Sequence, residues 1–372
     1  MTPAADVVVV GGGVVGAACA YELARDGQRV TLVDRHDVGR ATDAGAGILS
    51  PETYGGTVPA FLDLADLAGA HYRDLVPDLG ELGAPDTRYA VCGALRVGFR
   101  EGEDDVFAAS ARVALARHPD VLEPVSVDHA RAMFPPLGEI RHALYNPRGA
   151  RVDGRELVAA LEFAARAVGV DWRSGQAARL VVDGERVRAV ETPSSTVPCG
   201  AVVIAGGAWT TELAGTFGLR SGVRPVRGQI VHLRLRLDAD TGSWPVLQPI
   251  LSHYVVPWPD GRVALGATVE DVGFDARPTA AGLRQLFSEG LRLSPGLADA
   301  TFLEVRAGLR PVSDDDLPLI GVLPGAANAY VASGHGANGL LLGPVTGRLV
   351  ADVVSAREPH LDLGCFSPAR LV

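Results

Sequence analysis

A chain of 372 residues can build two or three domains, and its formal net charge of -10, with no run of basic residues, gives no electrostatic case for nucleic acid or an anionic membrane as partner. Hydrophobic residues make up 47% and charged residues 21%, as in a folded protein rather than a disordered one. All 34 basic residues are arginine, which excludes any mechanism that needs a lysine.

In chain order, Asp6 to Val10 is a short β-branched run, which predicts a strand buried on both faces, and glycines follow at once. Val14 to Arg25 carries Ala17, Ala20, Tyr21 and Ala24 at helical spacing. Asp26-Gly27 ends that helix before a second apolar run, Arg29 to Val33, so the segment predicts a βαβ unit. Val152 to Val168 reads as an amphipathic helix, Leu180 to Val190 as a hairpin about Asp183-Gly184, and Ala201 to Ala205 as a strand running into Gly206-Gly207. From Gln229 to Leu237 apolar and polar residues alternate, and Tyr254 to Val256 and Arg262 to Leu265 predict strands flanking the Pro259-Asp260-Gly261 turn. This middle region predicts a mostly antiparallel sheet. A strand at Ala329 to Ala332, a glycine-rich loop and an apolar helix from about Gly339 to Val354 complete the chain.

Cys19, Cys92, Cys199 and Cys365 lack CxxC spacing, which argues against a metal site or a disulfide framework and fits a reducing cytoplasm. The apolar run at Val7 to Val10 is broken by Gly11, so neither a signal peptide nor a membrane span is expected.

The spacing Gly11-x-Gly13-x-x-Gly16, after a strand and before a helix, predicts a dinucleotide site. Gly11 permits the tight turn, Gly13 lets a pyrophosphate approach the backbone, and Gly16 allows close helix-strand packing. Val14 and Val15 open the helix, whose N-terminus favours the phosphate charge. Asp34 ends the second strand, where a carboxylate hydrogen-bonds ribose hydroxyls. The spacing by itself leaves FAD and NAD both open. Gly39 to Ser50 is a second small-residue segment, suited to another close backbone approach.

These residues, with Ala205 to Trp209, Arg224 to Gln229, Tyr254 to Pro257, Gly266 to Thr268, Gly308-Leu-Arg-Pro311 and Gly334-His-Gly336, resemble the D-amino-acid oxidase and glycine oxidase family of flavoproteins over nearly the whole chain. The resemblance implies an α/β protein with a Rossmann-type FAD-binding domain (1–80, 146–225 and 305–372) and a second, mostly antiparallel-sheet substrate-binding domain (81–145 and 226–304). It implies a noncovalent FAD, since Arg306 to Pro318 lacks the cysteine found there in members with covalent flavin. Beyond Gly11, Gly13, Val14, Val15, Gly16 and Asp34, the expected cofactor residues are Arg35, Thr42, Ala46 and Gly47 early in the chain and Ala177, Ala205, Gly206 and Trp209 in its middle. Gly308, Gly334, Gly336, Ala337, Asn338, Gly339 and Leu340 close the set, with the last loop and helix at the pyrimidine end of the flavin.

For catalysis the resemblance implies that Arg310 grips a substrate carboxylate; Tyr254 is a candidate second hydrogen-bond donor to it or an ordinary half-buried sheet tyrosine, and His335 is a candidate base. His335, between two glycines, also reads as a structural residue, and Arg224 and Arg227 as structural partners of acids. The reaction so implied is oxidation of the C–N bond of a small amino acid, namely a D-amino acid, glycine or an N-substituted amino acid. The α-hydrogen leaves as hydride to FAD, the imino acid hydrolyses, and oxygen or another carrier takes the electrons. Glycine oxidases place a second arginine where Ala337 stands, which turns the expectation toward a bulkier substrate. Ile48 and Val269 align with apolar pocket positions. Two alternatives stand beside this one: a 2-hydroxy-acid oxidase or dehydrogenase, which would need His335 or His253 as base, and a noncatalytic FAD-binding redox sensor.

Overall fold

The computed structural model describes residues 5–56, 58–217, 222–236 and 241–371, and the strand end expected at Leu237 lies outside them. Strand β1 (Ala5–Val10), helix α1 (Val14–Arg25) and strand β2 (Val30–Asp34) form the expected βαβ unit, with β1 and β2 parallel. Helix α2 (Pro59–Glu81) follows, then β3 (Ala94–Gly98) and β4 (His142–Asn146). Helix α3 (Gly154–Ala167) starts two residues later than its apolar pattern suggests, because the Asp153 carboxylate caps it by accepting from the Arg155 N–H at 3.0 Å.

Next come β5 (Asp171–Ser174), the hairpin β6 (Arg179–Asp183) and β7 (Arg186–Thr192), and β8 (Ser195–Ile204). They are followed by β9 (Val223–Arg234), β10 (Val246–Pro249), β11 (Tyr254–Pro257), β12 (Arg262–Gly266) and helix α4 (Ala280–Leu293). The chain closes with β13 (Thr301–Ser313), β14 (Leu319–Val322), β15 (Ala329–Ser333) and helix α5 (Gly339–Val354).

Two eight-stranded sheets form among the described residues. In the first, β15, β8, β1, β2 and β5 run parallel in that order, with β14 antiparallel beside β15 and the β6–β7 hairpin paired to the start of β8. Every residue of β2 is buried, and β1 shows only Asp6 partly, as expected for strands covered on both faces. Helix α5 closes one face against α1: a Cβ at Gly347 would lie 2.6 Å from Ala18 of α1, so glycine lets the two helices touch.

The second sheet runs β13-β9-β12-β11-β10-β3-β4, edged by Glu123–Pro124, and is antiparallel except between β10 and β3. Its two-residue alternation sends Val231, Leu233, Val255, Val263, Leu265, Leu247, Leu95 and Val97 to one side, where they pack with Leu286 and Leu293 of α4. The other face, carrying Gly228, Gln248 and Tyr254, is turned to a cavity shared with the first sheet. The β9–β13 ladder runs from Val223–Ser313 to Arg234–Thr301, with one register shift between His232 and Leu233. The divisions that the resemblance implies at 225/226 and 304/305 fall inside this ladder. Among the described residues no helix is long and apolar enough to cross a membrane.

Candidate active site

One cavity of about 370 Å³ runs from the end of β1, between the two sheets, to the start of α5. Its narrow end is built by the glycines after β1. Gly11 has φ +113, and a Cβ there would sit 2.2 Å from the Ala205 carbonyl oxygen. Only glycine allows the β1 and β8 termini to meet this closely. A Cβ at Gly13 would meet nothing but the Thr42 hydroxyl, at 3.4 Å, so this backbone is bare toward the cavity. Thr42 Oγ1 also accepts from the Val14 N–H at 3.2 Å, holding the first turn of α1.

Asp34 is committed on both oxygens. Oδ1 accepts from the Gly12 N–H at 3.0 Å and Oδ2 from Arg40 Nη1 at 3.0 Å, while Arg40 Nε donates to Asp43 at 3.1 Å. Arg35 lines the same end, its Nε donating to Asp37 at 2.8 Å and its Nη1 to Glu212 at 3.1 Å. Bare glycine backbone and a helix N-terminus offer donors to a pyrophosphate, a carboxylate at the end of β2 offers an acceptor to ribose hydroxyls, and these residues fit FAD.

At the other end the Gly336–Asn338 turn leads into α5, and the Tyr54 hydroxyl donates to Asn338 Oδ1 at 2.9 Å. The His335 ring turns inward to Thr346 Oγ1, 3.0 Å from its Nε2. Because the Thr346 hydroxyl already donates to the Leu342 carbonyl at 2.8 Å, Nε2 carries the proton and donates. Burial pushes this imidazole down to about 4, so it is neutral and a weak base.

On the sheet side, Arg310 Nη1 donates to the Thr268 carbonyl at 2.9 Å and to the Arg227 carbonyl at 3.5 Å. No carboxylate among the described residues forms an ion pair with it. Tyr254 stands beside the same guanidinium; burial raises its phenol and the Arg310 charge opposes the rise. A half-buried cation without a carboxylate, beside a hydroxyl and on a cavity wall, can take a carboxylate in a two-pronged grip. Arg227 forms ion pairs with Glu270 at 2.6 Å and Asp275 at 3.4 Å, and Arg224 with Asp271 at 3.2 Å, consistent with structural roles.

Most expected site residues line this one cavity: Gly11, Gly13, Val14, Val15, Asp34, Arg35, Thr42, Ala46 and Gly47 at the narrow end, then Ala205, Gly206, Trp209, Tyr254, Gly308 and Arg310, and finally His335, Gly336, Ala337, Asn338, Gly339 and Leu340. Three do not. Gly16 packs behind the passage, where a Cβ would lie 1.9 Å from the Gly11 carbonyl oxygen. Gln176 and Ala178 reach the cavity and Ala177 between them does not, and Gly334 is set back from the wall. Ile48 lines the cavity, but Val269 is 76% exposed. The alternation that turns Thr268 and Glu270 inward, onto Gln229 and Arg227, sends Val269 out to solvent. His253 is buried away from the cavity wall.

Sequence reasoning missed Arg40, Tyr54, Gly228 and Gln248, all on the wall. Arg40 lies inside the small-residue segment already singled out, and its charge among small residues was a signal. Gly228 lies inside the quoted Arg224 to Gln229 motif, and Tyr54 and Gln248 carry no local mark. Among the described residues no cluster of His, Cys, Asp and Glu is placed to hold a metal ion.

Comparison with known proteins agrees with this fold. The uncharacterized oxidoreductase YurR of Bacillus subtilis is 35% identical over 366 residues, covering 97% of this chain and 98% of its own. The iminodiacetate oxidase structure from Chelativorans sp. BNC1 superposes with a TM-score of 0.92 at 34% identity, covering 97% of this chain and 98% of its own. The glycine oxidase structure from Geobacillus kaustophilus gives a TM-score of 0.92 at 31% identity, with all of both chains covered. A family model described as FAD dependent oxidoreductase matches residues 6–353, and the chain belongs to that family, DAO.

Proposed function

We propose that this FAD-dependent oxidoreductase oxidises the C–N bond of a small amino acid or N-substituted amino acid, a reading carried by Arg310. Its guanidinium faces the cavity, donates to the Thr268 and Arg227 main-chain carbonyls, and forms no ion pair with a carboxylate among the described residues. A substrate carboxylate would complete it, and the Tyr254 hydroxyl would add a second hydrogen bond. The two solved relatives are named as oxidases of iminodiacetate and of glycine, both amino carboxylates, which supports the same class.

In this reading the segments 1–80, 146–225 and 305–372 hold a noncovalent FAD and the remainder presents the substrate. Bound FAD supplies the two-electron acceptor for the α-hydrogen, taken as hydride. The chain orients the α-carbon through Arg310, excludes water between the sheets, and aims the main-chain N–H groups at the start of α5 toward developing negative charge. No side-chain base is needed, because the amine binds neutral and the imino acid hydrolyses after release. A 2-hydroxy acid would need a base for its hydroxyl proton, and His335 and His253 are both poorly placed for it. Ala337, on the cavity wall, leaves room where a second arginine would stand, which favours an N-substituted or bulkier amino acid over glycine.

The test is anaerobic mixing of the holoenzyme with D-amino acids, glycine, sarcosine and 2-hydroxy acids while the flavin absorbance is followed. Bleaching by amino compounds, lost in Arg310→Ala, is the expected result. Bleaching by hydroxy acids alone would overturn the substrate class, and reoxidation in air then separates oxygen from another acceptor.

A further inference from the structure

Arg310 is not the only arginine on the cavity face of the second sheet that lacks an anion. Arg96 on β3 pairs in register with Gln248 of β10. The Leu247–Val255 pairing places Gln248 opposite Tyr254 of β11 on its other side, and Tyr254 stands opposite Gly266 of β12. Laterally paired residues project from the same face, so Tyr254, Gln248 and Arg96 form one row. At about 4.8 Å per strand, Arg96 stands roughly 10 Å from Tyr254, which is next to Arg310. Gln248, Tyr254 and Tyr54 line the cavity, Arg96 stands one strand beyond the wall residue Gln248, and Tyr54 is the titratable neighbour whose field Arg96 feels.

The sequence marks Arg96 as an anomaly: Ala94-Leu-Arg-Val-Gly98 is otherwise apolar. The structure leaves it unresolved in energetic terms. Its Nε is buried with no hydrogen-bond partner, and no carboxylate among the described residues forms an ion pair with its guanidinium. Glu52, also near Tyr54, accepts from the Asn146 side-chain amide at 2.8 Å rather than from Arg96. A half-buried guanidinium without an anion is costly, and a ligand carboxylate removes the cost.

We propose that Arg96 binds a second substrate carboxylate, so that the preferred substrates are amino dicarboxylates held at one end by Arg310 and at the other by Arg96. The inference rests on the amine-oxidising reading of the same cavity. The second carboxylate has two sources: the N-substituent, as in iminodiacetate, or the side chain, as in D-aspartate and D-glutamate. Arg96 acts here in binding and takes no part in the chemical step.

The first experiment is calorimetric titration of the FAD-loaded protein with thiodiacetate and with (methylthio)acetate, two ligands without an amine that differ by one carboxylate. The dicarboxylate is expected to bind about 30-fold more tightly, and Arg96→Met to reduce that ratio to about 3-fold or less. Equal affinity of the two ligands for the unmodified protein overturns the proposal, whether or not the variant folds. The second experiment compares kcat/KM for iminodiacetate, D-aspartate and D-glutamate against sarcosine and D-alanine. A preference for iminodiacetate assigns Arg96 to an N-linked carboxylate, and a preference for the acidic amino acids assigns it to a side chain. Oxidation of sarcosine or D-alanine with no gain from a second carboxylate removes the role of Arg96 and keeps the amine-oxidising reading. Tight thiodiacetate binding with no amino compound oxidised does the reverse.

Discussion

The Arg310 guanidinium lies across the backbone of Gly228, 2.4 Å from where a Cβ at that position would sit. The two strands that carry them, β13 and β9, are paired without a break from Val223 to His232, so this glycine is what lets the arginine fold back over the sheet toward Tyr254. Gly228→Ala should displace the guanidinium without breaking the ladder, since the colliding atoms are at the end of a flexible side chain. The expected result is a fall in kcat/KM of about 100-fold, largely through KM, with little change in melting temperature. Unchanged kinetics in a correctly folded variant would show that the position of Arg310 does not govern binding.

Asp34 holds the Gly12 N–H and Arg40 together at the narrow end of the cavity. Asp34→Ala leaves the loop without its acceptor and Arg40 with Asp43 alone. FAD affinity should drop about 10- to 100-fold, read as free FAD fluorescence on dilution of the holoenzyme. Retention of the cofactor at nanomolar protein would count against this role.

Acid sensitivity follows from two buried histidines. Burial holds His335 down to about 4, and burial with Arg306 and Arg262 nearby holds His232 down to about 4. The unfolded chain takes up these protons near its ordinary value of about 6.5, so between that pH and 4 the unfolded state binds more protons. Their contribution is whole above about pH 6.5 and lost as the pH falls, at up to about 1.4 kcal/mol per pH unit for each histidine. His335→Gln should flatten the decline in melting temperature between pH 7 and pH 5, and an unaltered slope would assign the acid sensitivity to other groups.

Arg348 of α5 donates to Glu22 of α1 at 2.9 Å, and also pairs with Asp26 at 2.5 Å and Asp352 at 2.8 Å. The Glu22 side chain is 1% exposed, and burial already raises its carboxyl above the usual range. Arg348→Ala leaves that buried charge to Arg25, at 3.3 Å, and should cost up to about 3 kcal/mol in chemical denaturation. Adding Glu22→Gln should recover part of the loss by removing the buried charge. No recovery would mean that the cost arises from Asp26 and Asp352.

Much of this protein was legible in order along the chain. The β1–α1–β2 unit, the glycines that line or back the narrow end, and α5 depend on local spacing: a run of β-branched residues, a helical repeat, and glycine where a backbone must come close. The resemblance added Arg310 and the terminal loop. Local spacing could not show that Val269 points outward, since that follows from which neighbour Thr268 and Glu270 find in β9.

The sequence by itself determined a dinucleotide-binding βαβ unit and the two kinds of sheet, because each rests on residues close together in the chain, while FAD and the proposed role of Arg310 came from the family resemblance. The tertiary structure alone decided that Gly228 seats Arg310, that Arg40 braces Asp34, and that Arg96, Gln248 and Tyr254 form one row. Arg96 and Gln248 are separated by about 150 residues of chain, and their adjacency comes from strand order and register, which hydrogen-bond pairing between distant segments establishes and no local pattern encodes.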